Sequence, residues 1–128
     1  MPADAESRVD PRRLSGDERT ALRARAERAR ADAVAAAERC VCLAAEVTRL
    51  KSASDGKQAA LSAARHELEE TTSRFARLLK LLDTPPERAV TLLKEAVTEH
   101  VPLHSREGRA IMEDVVRWGV RAFYEGVA

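Results

Sequence analysis

An all-α protein is expected from this sequence, and three features carry that expectation. Between Arg19 and Leu82 there is no proline and only one glycine, in a stretch dense in Ala, Arg, Glu and Leu, which are good helix formers. Through the same stretch, apolar residues recur with the alternating four- and three-residue step of a heptad. Beyond it, Thr84-Pro85-Pro86-Glu87 reads as a helix start, with threonine as N-cap, proline at the first helical position and glutamate at the third. The predicted architecture is a long coiled-coil-like helix or an antiparallel helical hairpin, followed by a C-terminal helical pair.

Composition narrows the rest. Of 128 residues 45% are hydrophobic, but 24 are alanine and only 3% are aromatic, so the apolar fraction fills little volume. Twenty-two basic groups against 21 acidic ones leave a net charge of +1, which argues against a strongly basic nucleic-acid binder and against an acidic tail. No run approaches the ~20 consecutive apolar residues of a membrane span. The first residues carry no apolar run of the signal-peptide kind, so an intracellular location is expected.

In chain order, residues 1–16 show no periodicity and are expected to form a disordered leader. Ser15 or Asp17 is placed to cap the helix that follows, with Asp17 and Glu18 in its first turn, where the helix dipole favours acids. Starting from Leu22, the heptad seam covers eighteen positions to Leu82, and fifteen of them are apolar. Alanine inflates that score. Of the fifteen Val, Leu, Phe and Cys residues between 22 and 82, however, ten lie on the seam, where chance placement on two heptad positions gives about four. These ten are Leu22, Cys40, Leu43, Val47, Leu50, Leu61, Leu68, Phe75, Leu78 and Leu82, and the eight from Leu43 onward are expected to serve association.

The seam turns polar at Ser54 and Lys57, within Ser52-Ala53-Ser54-Asp55-Gly56-Lys57. Either one helix runs through a weak spot or the chain folds back there. Folding back sets Leu61 near Val47, Leu68 near Cys40 and Phe75 near Ala33, large against small as interdigitation requires. It also opposes Arg39 to Glu67 and Asp32 to Arg74. A parallel dimer instead stacks alanine on alanine and brings Arg25 towards a like charge. The hairpin is the preferred reading, spanning residues 17–82.

A second region, residues 84–128, follows. Its first helix is expected to run to about His100 and to end before Pro102. Ser105 is placed to cap a last helix that reaches Glu125, with Gly126 as its stop. On that helix Ile111, Val115, Trp118 and Ala122 form one stripe, and Met112, Val116, Val120 and Phe123 the next. Arg117, Arg121, Asp114 and Glu125 fill the remaining arc. So wide an apolar arc belongs to a helix wedged among several others or shared with a partner chain.

The expected function is a non-enzymatic coiled-coil interaction protein, a scaffold or adaptor subunit of a larger assembly. Ile111, Val115, Trp118 and Phe123 are the expected partner anchors, and the seam leucines the means of association, with a protein or with a second copy. The alternative is a small nucleic-acid-associated regulator using the basic stretch Arg19, Arg23, Arg25, Arg28 and Arg30; against it, no aromatic is interleaved for base stacking. A self-sufficient four-helix bundle holding a ligand is a third reading. No cofactor or metal is expected: His100 and His104 are separated by Pro102, and Cys40 and Cys42 diverge on a helix. No glycine-rich phosphate loop or nucleophile pattern is present, and paired acids such as Glu69-Glu70 read as a solvated face.

Overall fold

A computed structural model of the chain describes residues 15–50, 55–101 and 103–125. The expected leader falls on residues 1–16, of which 1–14 lie outside the described residues. Four helices and no strand are found among those described: α1 (Gly16–Leu50), α2 (Asp55–Leu81), α3 (Pro86–Thr98) and α4 (Arg106–Glu125).

Each helix start has a local cause. Ser15 Oγ accepts the Glu18 backbone N–H at 3.1 Å, so Ser15 and not Asp17 satisfies an orphan donor of α1. Asp17 and Glu18 occupy the first turn. At α4, Ser105 Oγ accepts the Gly108 N–H at 2.9 Å, as its position anticipated. The capping box at 84–87 does not form. Pro85 is the cap, extended at φ −62° and ψ 149°, and no side chain bonds the exposed N–H groups. Pro86 supplies the reason, because the residue before a proline is driven out of the helical region. The helix therefore starts one residue late, and Thr84 belongs to the preceding turn.

That turn closes α2 from behind. Asp83 adopts a left-handed φ of 61°; its N–H donates to Lys80 O, and the Thr84 N–H donates to Leu79 O, both at 3.0 Å. This pair of bonds is a Schellman closure with aspartate where glycine is commonest. At the far end of α3, the Val101 N–H still bonds Val97 O at 2.8 Å, although the helix proper ends at Thr98, slightly before the expected His100.

The chain turns back between α1 and α2. They pack side by side more extensively than any other pair of helices, and the continuous rod is thereby overturned. Two of the charge pairs that favoured the hairpin are present: Arg39 with Glu67, and Arg74 with Asp32 at 3.9 Å. Lys57 Nζ and Glu46 add a third at 2.7 Å. Residues 51–54 lie outside the described residues, while Asp55 and Gly56, expected near a possible turn, already belong to α2.

The interior follows the seam. Leu22, Ala26, Ala29, Ala33, Ala36 and Cys40 of α1 are buried, as are Ala64, Leu68, Phe75 and Leu78 of α2. Alanines on α1 let the two axes approach, and the larger residues of α2 fill the space between them. A second buried face, including Ala37 on α1 and Ala76 and Leu79 on α2, continues this core. α4 packs mainly on α2 and also touches α1; α3 lies chiefly on α4. One cluster of buried apolar residues runs through all four helices.

Candidate functional site

The expected anchors are part of that cluster. Ile111, Val115, Trp118 and Phe123 are all buried within the single chain, with Trp118 only 7% exposed. Their apolar surface is spent on closing the bundle. The width of the apolar arc on α4 comes from wedging among its own neighbours, so these four residues are placed as core and not as a free face. Along the hairpin seam Leu68, Phe75 and Leu78 are buried, whereas Leu43, Val47, Leu61 and Leu82 are half-buried. The side chain of Leu50 lies outside the described residues.

The polar arc expected on α4 also needs correcting. Asp114 is buried, because Arg65 of α2 reaches across to its Oδ2 at 2.7 Å and Arg117 donates to its Oδ1 at 2.5 Å. A carboxylate flanked by two guanidiniums keeps its charge satisfied at a helix interface. Nearby, burial pushes the Cys40 thiol up to about 11, so it stays protonated at neutral pH and is poorly nucleophilic. Cys42 is exposed, and both thiols are free.

The basic stretch divides in two. Arg19 donates to Leu82 O at 3.4 Å, and Arg30 reaches Glu99, the C-cap of α3, at 2.8 Å. The hydrogen bond from Arg30 holds the Glu99 carboxyl below its usual range. Both residues tie α1 to other parts of the bundle. Arg23, Arg25 and Arg28 are exposed. Of the histidines, His66 lies exposed beside Glu70 at 3.0 Å, and His100 stands 3.7 Å from Glu99. Among the described residues no three His, Cys, Asp or Glu side chains group as a metal site.

A largely apolar recess lies elsewhere, between α3 and α4. It encloses about 420 Å³ and is walled by Pro86, Ala89, Val90 and Leu93 on one side and Gly119, Val120, Phe123 and Tyr124 on the other. Glu87 is its only charged lining residue. Gly119 makes the close approach possible: a Cβ there would run into Leu93 Cδ1. At the rim stands Tyr124, 57% exposed and, among the described residues, the large hydrophobic side chain most open to solvent. Its ring packs edge-on against Phe123, with centroids 5.5 Å apart and planes at 75°. Lys80, in the last turn of α2, sets its ammonium 4.9 Å from the Phe123 centroid and 5.7 Å from that of Tyr124, a cation–π arrangement that fixes both rings.

Sequence reasoning missed this groove. Val90 and Val120 belong to the apolar stripes expected on their helices, and Tyr124 follows the last stripe residue, so periodicity marks the valines as apolar without showing that they line a groove. Gly119, a helix-weakening residue within an otherwise regular helix, was the available signal. Comparison with known protein families, with curated proteins and with solved structures finds no match for this chain.

Proposed function

We propose that this chain is a non-enzymatic interaction protein, a scaffold or adaptor subunit, and that it receives an apolar ridge from a protein partner in the α3–α4 groove. The exposed Tyr124 at the mouth of that apolar recess carries the reading. Interfaces are built around aromatic anchors beside apolar pockets, and a groove between two helices suits the side chains of a third laid across it. Chemistry is not favoured there: Glu87 and Tyr124 are the only ionisable lining groups, with no nucleophile beside a base.

Site-specific photocrosslinking in the cells that make the protein tests this proposal. With Tyr124→p-benzoylphenylalanine, one discrete protein adduct is expected, and it should vanish when Val90→Asp or Val120→Asp is added. Both valines are half-buried, so unchanged Trp118 emission must accompany the loss. The same crosslinker at His66, exposed on α2, should capture no comparable species. An adduct at both positions, or at neither, contradicts the reading, as does a small molecule that alone protects the groove.

A further inference from the structure

A second surface lies on the hairpin alone, where α1 and α2 meet side by side. Arg25 and Arg28 of α1 and Arg74 of α2 stand around a depression of about 290 Å³ floored by Ala29 and Leu78. The pattern of pairs along this edge explains its charge. Arg39 meets Glu67, and one heptad further Asp32 meets Arg74. The next rung of the same series sets Arg25 against Leu81, which supplies no acid. Arg28 adds a further cation, and neither Arg25 nor Arg28 has an ion pair among the described residues. Asp32 neutralises only part of this group, at 3.9 Å from Arg74.

We propose that this depression is a docking site for an acidic segment of a partner protein, two or three of whose carboxylates seat between Arg25, Arg28 and Arg74. Guanidinium forks match carboxylates in a bidentate manner, and the small Ala29 floor lets a chain come close. Extent decides between a carboxylate segment and a nucleic acid. A nucleic-acid backbone needs a long cationic track and stacking rings. Here no aromatic lines the depression and Asp32 is itself part of its lining, beside the three arginines, while Glu67 lies further along the hairpin and Asp17 and Glu18 near the start of α1, so the cationic surface is short. With a net charge of +1 over the whole chain, affinity for an acidic peptide has to come from such a local concentration of cations. The site is separate from the α3–α4 groove and stands or falls without it.

Fluorescence anisotropy with a labelled octaglutamate peptide, at low ionic strength, tests it. Binding is expected, weakening as salt is raised. The double variant Arg25→Ala, Arg28→Ala should bind about tenfold more weakly. Arg88→Ala with Arg109→Ala removes the same charge from exposed positions on α3 and α4 and should leave affinity within about twofold. Arg25 and Arg28 are exposed, so the thermal midpoint should not move in the first variant; Arg25→Lys, Arg28→Lys should bind with intermediate affinity. Absence of binding overturns the proposal, as does equal weakening in the two alanine variants. A single-stranded oligonucleotide held more tightly than the peptide through the same arginines overturns it in favour of nucleic acid.

Discussion

Trp118→Ala is expected to lower the free energy of unfolding by about 3–5 kcal/mol, a large fraction of what holds a domain this size together. Trp118 is 7% exposed and belongs to the cluster that joins α4 to the other helices. Truncating it removes the largest side chain in that cluster and leaves a cavity that regular helices close poorly. Tyr124→Ala, six residues further on and 57% exposed, should change stability by roughly 0.5 kcal/mol or less. Urea denaturation of both variants measures the contrast. Equal, small losses would mean that Trp118 faces solvent or a missing companion, as a partner-binding anchor would.

Leu68→Ala should cost about 2–5 kcal/mol. Leu68 is fully buried, opposite an arm of α1 whose seam there is Cys40, also fully buried. Because alanine lines so much of α1, no large neighbour is available to collapse into the space. Nearer the tip the burial lessens: Leu61 is half-buried, and Leu61→Ala should cost well under half as much. The same core also contains a mismatch. Thr72 is fully buried and its hydroxyl has no hydrogen-bond partner, so Thr72→Val should stabilise by about 1 kcal/mol, relieving an unpaired polar group at nearly constant volume. Denaturant midpoints for the three variants should therefore fall steeply, fall slightly and rise, in that order.

Much of the architecture was legible because it is written in repeats. The heptad seam located the buried stripe of both hairpin arms, and the matching of large to small residues chose antiparallel over parallel. The Arg39–Glu67 and Asp32–Arg74 pairs fixed the register that the structure displays. Ser15 and Ser105 announced helix starts because a short hydroxyl side chain ahead of a helix has one effective use. The Thr84 capping box failed for an equally local reason: a second proline, Pro86, restricts Pro85, and this outweighs the capping pattern.

The candidate site was much less legible. A wide apolar arc on one helix does not reveal which neighbours cover it, and Trp118 turned out to be covered from within. Asp114 looked like surface because its partner, Arg65, lies 49 residues away in sequence. The groove itself exists only where Gly119 and Leu93 meet across two helices, a relation that no periodicity encodes. What remains exposed after such packing, notably Tyr124 and the Arg25–Arg28 pair, is a remainder of tertiary structure.

All four helices of the bundle belong to one chain, and one apolar cluster joins them without a second copy. Thermal unfolding followed by Trp118 emission, repeated over a thousandfold range of protein concentration, tests this without reference to any partner. A one-chain core predicts a blue-shifted indole in the folded state and a midpoint independent of concentration. A midpoint that falls steadily on dilution, with emission already red-shifted in the most dilute sample, would show that a second chain completes the core.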